Sequence, residues 1–303
     1  VTDLIVLFEH PEWQLPLFSA LERRGISFVA FDLKRGAFDT DGVPPAKLVF
    51  NQASPSAYNR GHDRAVPLAQ ALIRAFELHG VPVLNGSRAL SLELSKSAQG
   101  ALCRSLGIEH PRSVAFNDVE AVLAQWTEWP ALLKPEQGGS GARMYEVQSP
   151  DELRRLFDET SELWRPDNLM LLQEKFAVDP NRGIVRMEFL GGELLYAMRV
   201  ASHGSFNLCP SEVCNPADRT AAAAPAVEFY PYPEVPVEAV AQGKKLVEAG
   251  GLDLGGIEYL EAPDGRLIFF DINANSNLRP AIAAHFGFDP FDRVVDFLEK
   301  RIA

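Results

Sequence analysis

Two apolar runs separated by a short polar turn bring acidic groups to one place in the chain. Leu254-Gly255-Gly256-Ile257-Glu258-Tyr259-Leu260 is followed, thirteen residues after Glu258, by Asp271-Ile272-Asn273. Both runs are β-like, and Pro263-Asp264-Gly265 between them has turn chemistry, which predicts a hairpin. Asp271 and Asn273 are two apart and point the same way from an extended strand. Pairing across the turn can bring Glu258 beside them. Two carboxylates and a carboxamide oxygen make an all-oxygen set suited to Mg²⁺ held partly by phosphate and water. In isolation the same residues describe two solvated acids beside a turn, so the upstream sequence has to decide.

Upstream, Leu4-Ile5-Val6-Leu7-Phe8 reads as a buried strand, Pro16 to Arg24 as a helix, and Ile26 to Phe31 as a second strand. This strand–helix–strand rhythm favours a parallel sheet covered by helices. Leu48 to Phe50 adds a strand. Ala65 to Leu78 has an apolar stripe at Leu68, Leu72 and Phe76 and should be helical until Gly80, with a short extended element at 81–85. A first domain over 1–86 is expected, then a connecting helix within 87–111, covering 91–106. A small α/β unit at 112–176 and a C-terminal unit at 177–303 complete the organisation. The C-terminal unit should contain a hairpin from Arg186 to Val200, a helix from Pro236 to Ala249 with the proline in its first turn, and a closing helix from Pro290. Residues 201–233 are rich in Ser, Ala, Asn and Pro and read as a substrate loop or as an ordinary surface excursion.

The 303 residues carry a formal net charge of −12, which disfavours a broad nucleic-acid-binding face. No apolar run reaches membrane-spanning length and no signal-peptide pattern opens the sequence. Cys103, Cys209 and Cys214 fit neither a disulfide framework nor a zinc spacing. A soluble protein of a reducing cytoplasm is the expectation.

A second segment bears on phosphate chemistry. In Ala131-Leu132-Leu133-Lys134-Pro135-Glu136-Gln137-Gly138-Gly139-Ser140-Gly141, a strand delivers Lys134 into a glycine-rich turn. One positive charge and several backbone N–H groups can then lie beside phosphates. The loop lacks the Lys-Ser/Thr ending of a P-loop and the glycine spacing of a dinucleotide fingerprint. Downstream, Leu171-Leu172-Gln173-Glu174-Lys175-Phe176 can wall an adenine pocket and offer polar groups at its end. Lys96 can reach a phosphate if a cleft closes over it. Arg186 and Arg199, on opposite arms of the expected hairpin, can clamp a phosphate or carboxylate. Asn207 and Arg279 can stabilise ligand oxygens, and His203 is either a proton shuttle or a loop histidine unrelated to catalysis. Glu9-His10-Pro11-Glu12-Trp13 can line an acceptor pocket or form an ordinary strand-to-helix loop.

In this order the segments resemble the ATP-grasp superfamily, and within it the RimK-like carboxylate–amine ligases. The resemblance implies an α/β protein with an ATP-grasp fold behind an N-terminal parallel-sheet domain. It implies that Lys96 and Lys134 are the two nucleotide-phosphate lysines and that Gly138-Gly139-Ser140-Gly141 is the mobile phosphate lid. Gln173-Glu174-Lys175-Phe176 resembles the adenine-binding connection, Asn207 a pocket asparagine, and Arg186 and Arg199 pocket arginines, with Arg279 beyond the metal strand. Glu258, Asp271 and Asn273 match the metal triad. Several positions depart from the pattern. The acidic pair runs Glu then Asp where related glutamate ligases have Asp then Glu. Asp271-Ile272-Asn273 replaces Glu-Val-Asn, and Ala274 to Pro280 replaces a Ser-Pro-Gly pattern. The acid of an Asp-Ile-Arg-like segment is missing before Arg186.

The implied activity uses ATP and Mg²⁺, with Mn²⁺ as a substitute. A substrate carboxylate attacks the γ-phosphorus, and an amine then captures the acyl phosphate. The expected partners are a small carboxylate and an amine, such as amino acids or peptides, with no nucleic acid or membrane; the family pattern allows a homo-oligomer. A small-molecule phosphotransferase and an inactive nucleotide-binding regulator are the alternatives.

Overall fold

The computed structural model describes residues 2–139, 141–177, 183–201 and 227–303. The N-terminal part alternates strands and helices: β1 (Thr2–Phe8), α1 (Pro11–Arg23), β2 (Phe28–Asp32), β3 (Ala46–Gln52), α2 (Ala65–Leu78) and β4 (Val83–Leu84). The strands form a parallel sheet in the order β2-β1-β3-β4. One face packs on α2 through Ile5, Leu7, Val49, Leu72, Ile73 and Phe76. Helix α1 starts at Pro11, five residues before the expected Pro16. The missing N–H of Pro11 is harmless in a first turn, and Pro16 is an interior proline on the exposed side. There water can take the hydrogen bond that Pro16 cannot donate.

The single helix expected over 91–106 is two helices, α3 (Ser87–Glu93) and α4 (Lys96–Ser105). Ser95 separates them. Its backbone is extended and its hydroxyl accepts from the Ala98 N–H at 3.1 Å, so it caps a new helix. This break makes Lys96 the first residue of α4.

The next unit is a four-stranded antiparallel sheet. It contains β5 (Ser113–Phe116), α5 (Val119–Leu123), β6 (Ala131–Pro135), β7 (Tyr145–Val147), α6 (Pro150–Glu159) and β8 (Met170–Glu174), with strand order β5-β8-β6-β7. Val122, Trp126, Leu133, Leu153 and Met170 fill the space under α5 and α6.

The C-terminal part is a five-stranded antiparallel sheet. Its elements are β9 (Ile184–Leu190), β10 (Glu193–Ala201), β11 (Glu228–Pro231), α7 (Val237–Gly250), β12 (Leu254–Glu261), β13 (Leu267–Asn273), α8 (Pro280–Ala283) and α9 (Pro290–Ile302). The strand order is β11-β10-β9-β12-β13. Strand β11 falls within the segment expected to be loop; it lies at the sheet edge, where its terminal Pro231 is tolerated. Pro236 precedes α7 as its N-cap instead of lying in its first turn. One sheet face packs through Val185, Met187, Phe189, Ile257 and Tyr259 against α7 and α4. The opposite face packs through Tyr196, Met198 and Val200 toward β1, α1 and α9. Among the described residues no helix is long and apolar enough to cross a membrane.

Asn85 joins the parallel sheet to the five-stranded one. It follows β4, is fully buried, and has φ 51°, a left-handed conformation that asparagine tolerates better than most residues. Its Nδ2 donates to the carbonyls of Leu254, at 2.8 Å, and Ala274. Its Oδ1 accepts from the N–H groups of Asp253 and Leu254 at 2.8 and 3.2 Å. One side chain therefore fixes the start of β12 and the residue after β13. Replacing it strands four buried backbone groups, so Asn85→Ala should lower unfolding stability by about 3–5 kcal/mol. Urea denaturation checks this, and a loss below about 1 kcal/mol would contradict the assignment.

Candidate functional site

The strand registers arrange the acidic groups in rows. Glu258 pairs with Arg186 on β9 and with Asp271 on β13, so these three lie side by side across the sheet. The next row runs Glu188, Gly256, Asn273. A β-bulge between Glu258 and Tyr259 in the β12–β13 ladder leaves Phe270 without a register partner. The bulge lets Asp271 share a face with Glu258 while Phe269 joins Tyr259 in the core on the other side. Arg186 donates from Nε to Glu188 and from Nη1 to Glu258, both at 2.6 Å, and from Nη2 to Ser276 at 3.2 Å. Gly256 makes this reach possible, since a Cβ there would lie 2.4 Å from the Arg186 Nη2. Burial works against the Arg186 charge, but Glu188 and Glu258 outweigh it and raise its pKa. Asn273 Nδ2 donates to Asp271 Oδ2 at 3.2 Å.

Two lysines enter this cluster from other elements. Lys96, at the start of α4, forms an ion pair with Asp271. Lys134, on β6, is 94% buried, its exposure being 6%. Burial depresses both ammonium groups, to about 8 for Lys96 and about 7 for Lys134, and Lys96 lowers Lys134 further by direct repulsion. Glu136 and Glu258 act on both in the opposite direction. Burial pushes Glu93, at the end of α3, up to about 8, with Lys96 and the Ala274 and Asn275 backbone drawing it back.

Two carboxylates and a carboxamide on adjacent rows fit an oxygen-coordinated divalent cation. Their charge is matched by Lys96 on Asp271 and Arg186 on Glu258. Among the described residues no group of three or more His, Cys, Asp or Glu gathers in metal-binding geometry, so any ion here depends on Asn273 and on ligand or water oxygens.

The other expected residues distribute around this centre. Gly138 and Gly139 follow β6, and Gln137 Nε2 donates to the Pro55 carbonyl at 3.0 Å. Gly139 passes so close to the turn Pro55–Arg60 that a Cβ would meet Ser56 at 2.9 Å. Gly141 has φ 68°. Gln173 is buried at the end of β8 and shares a crevice with Lys96, Gly100, His110, Phe270 and Asp271. The Glu174 carboxylate accepts from the Arg112 N–H at 3.2 Å, and Lys175 pairs with Glu146 at 2.7 Å. Phe176 packs with Leu260, Ala262, Ile268 and Phe270. Ser140, Asn207, His203, Cys209 and Cys214 lie outside the described residues.

Arg199 is not brought to the cluster. Its register partner is Val185, whereas Arg186 pairs with Met198, so alternation sends Arg199 to the opposite face of the sheet. There it stacks on Tyr232 at 3.9 Å and pairs with Glu261. The expected clamp between Arg186 and Arg199 is therefore not formed. Arg279 stays on the cluster side, stacked on Phe229 at 3.5 Å, with its pKa lowered by burial and then by Arg186.

A third wall comes from the parallel sheet. Glu9, at the end of β1, receives a bidentate pair from Arg60 at 2.9 and 2.7 Å and a further contact from His62. Asn275 Nδ2 donates to the Gln52 carbonyl at 3.1 Å, tying the loop after β13 to the end of β3. Among the described residues, His10 Nδ1 and Asn275 Oδ1 are buried side-chain atoms without a hydrogen-bond partner, both borne at or against this sheet end. Sequence reading missed Glu188, Glu136, Gln99 and Ser276. Period-two spacing from Arg186 and Lys134 signals the first two, but nothing local signals Gln99. Its side chain exchanges hydrogen bonds with both the N–H and the carbonyl of Ile272, between the two metal-candidate residues of β13.

No protein-family model matches the chain, and no curated protein matches it. Solved structures do. ATP-grasp ligase PsnB, complexed with a phosphomimetic variant of its minimal precursor, Mg and ADP, superposes with a TM-score of 0.68 at 21% identity, over 100% of this chain and 99% of that one. A RimK domain ATP-grasp protein from Sphaerobacter thermophilus gives 0.71 at 16% identity, covering 98% and 99%. VanG D-Ala:D-Ser ligase from Enterococcus faecalis gives 0.71 at 15%, covering 100% of both chains. The chain has the ATP-grasp fold.

The depressed Lys134 has a consequence for stability. Folded Lys134 titrates near 7 and an unfolded lysine near 10.5, so between these values the unfolded state binds the extra proton. This group's contribution to stability must therefore rise with pH across that window and be flat below it. Wild type should gain on Lys134→Met as pH increases from about 7 toward 10. Urea midpoints of both proteins check this, and a constant difference would contradict it.

Proposed function

We propose that this chain is an ATP-dependent carboxylate–amine ligase acting on an amino acid or peptide through an acyl phosphate. The observation that carries the reading is the convergence of Lys96, Lys134 and the Glu258–Asp271–Asn273 group from four separate elements into one largely buried cluster. Two ammonium groups in a partly dehydrated site suit a polyphosphate, whose charge removes their mutual repulsion. Glu258, Asp271 and Asn273 would hold Mg²⁺, which neutralises charge on the transferring phosphoryl group when bound. Arg186, already anchored by Glu188, supplies a fixed cation beside that group, and Arg279 offers a guanidinium to a substrate carboxylate. The glycine-rich turn lies against Ser56, where it can keep water from an acyl phosphate. Gln173 and Phe176 line the base side of the cleft. The end of the parallel sheet, where His10 Nδ1 and Asn275 Oδ1 are buried acceptors with no partner among the described residues, suits the amine substrate. PsnB has also been solved with its precursor peptide PsnA2 and AMPPNP, which supports a peptide or amino-acid substrate.

The proposed sequence is attack of a substrate carboxylate oxygen on the γ-phosphorus with release of ADP. The amine nitrogen then attacks the acyl carbon, phosphate leaves, and the amine loses its proton. Purified protein incubated with Mg²⁺, ATP and pooled amino acids and short peptides should release ADP and phosphate in equal amounts, alongside a condensed product seen by intact mass. A product carrying a phosphoryl group and no condensation would replace the ligase reading with a phosphotransferase. Lys134→Ala and Asp271→Asn should each lower kcat/KM for ATP by about 100-fold or more in folded protein. Near-normal turnover in both would remove the assigned roles.

A further inference from the structure

Glu136 lies two residues beyond Lys134 and belongs to none of the groups assigned above. It is 96% buried, its exposure being 4%. Its carboxylate takes three hydrogen bonds from the start of α4: Oε2 accepts from the Ser97 N–H at 2.9 Å, and Oε1 accepts from the hydroxyls of Ser97, at 2.6 Å, and Ser95. Its backbone carbonyl accepts from the Lys96 N–H at 3.2 Å. Its own N–H donates to the Leu169 carbonyl, just before β8, at 3.2 Å. The first three N–H groups of α4 are thereby satisfied, two by Glu136 and the third by Ser95. A helix N-terminus beside two phosphate-candidate lysines would ordinarily attract an external anion. Here an internal carboxylate fills it.

We infer that Glu136 is a positioning residue that locks the first turn of α4 to the end of β6, so that Lys96 and Lys134 meet a nucleotide's phosphates as one preset pair. The two lysines sit on different units, one on the connecting helix and one on the small antiparallel sheet. Glu136 is the buried side chain joining the helix start to the strand end, through the residues next to each lysine. Its negative charge also lies near both ammonium groups and offsets their repulsion before phosphate arrives. A phosphate-specific consequence follows. Loss of the lock should weaken ligands in proportion to the phosphates they carry and leave a nucleoside unaffected. This inference rests on the nucleotide reading above.

Competition titrations with ATP and with adenosine separate the possibilities. Wild type should bind ATP; failure to do so removes the nucleotide reading and this inference together. Glu136→Ala should weaken ATP at least about 10-fold and leave adenosine within about twofold. Glu136→Gln keeps an acceptor for the Ser97 N–H and should recover most of the loss, while Ser97→Ala should give a smaller weakening in the same direction. In turnover, the Ala variant should raise KM for ATP more than it lowers kcat. Unchanged ATP affinity in folded Glu136→Ala, with wild type binding normally, overturns the inference alone. Equal loss of ATP and adenosine overturns it too, since that marks general support of the cleft. If Glu136→Ala does not fold, Ser97→Ala decides: unchanged ATP affinity rejects the lock.

Discussion

The buried amide of Asn85 sets the geometry on which the rest depends. Strands β12 and β13 carry Glu258, Asp271 and Asn273, and their relation to the parallel sheet is fixed where this side chain bonds Asp253, Leu254 and Ala274. The bonds occur on both sides of the acidic hairpin, at the residue where β12 begins and just after β13 ends. A neutral amide suits the place because it has two donors and an acceptor with two lone pairs, matching two carbonyls and two N–H groups without burying a charge. Gln99 does the equivalent work farther along, occupying both backbone groups of Ile272. Between them, two uncharged side chains hold the strand that presents the charged ones.

The charged cluster itself is balanced at a cost. Lys96, Lys134, Arg186, Glu93, Glu136, Glu188 and Glu258 are all drawn away from water, and that burial depresses the two lysines and raises Glu93. Buried ion pairs seldom add net stability over apolar packing, because desolvation offsets attraction. Their presence here fits a site prepared for a polyanion and a divalent cation, with much of the reorganisation completed during folding. Arg186 illustrates the preparation: Glu188 and Ser276 fix its guanidinium, so Glu258 meets a cation of set position.

Much of this was legible in the chain, for reasons that differ by residue. The turn chemistry of Pro263-Asp264-Gly265 and the two-residue spacing of Asp271 and Asn273 let the neighbourhood of Glu258 be anticipated, whereas the β-bulge that turns Asp271 to the face of Glu258 left no mark in the sequence. Lys134 was conspicuous because a strand ran straight into glycines. The split between α3 and α4 was hidden because the apolar spacing of Leu94, Ala98 and Leu102 continues through it. Only the Ser95 hydroxyl, competing for the backbone, marks the break. Arg199 was misplaced because proximity on a hairpin was read without its parity: one step in register sends a side chain through the sheet. Gln99, Asn85 and Glu136 were invisible as site residues, since the side-chain bonds that tie them to Ile272, Leu254 and Ser97 span 39 or more residues of sequence.

The proposed ligase function requires one cleft to hold nucleotide phosphates and a divalent cation between Lys96, Lys134 and the β12–β13 acids. The most direct measurement is an anomalous-scattering map from crystals of the full chain grown with Mn²⁺ and a non-hydrolysable ATP analogue. A Mn²⁺ peak is expected among Glu258, Asp271 and Asn273, with phosphate oxygens reached by both lysines and Lys96 withdrawn from Asp271. A nucleotide and metal bound elsewhere, with the Lys96–Asp271 and Arg186–Glu258 pairs unchanged, would contradict it.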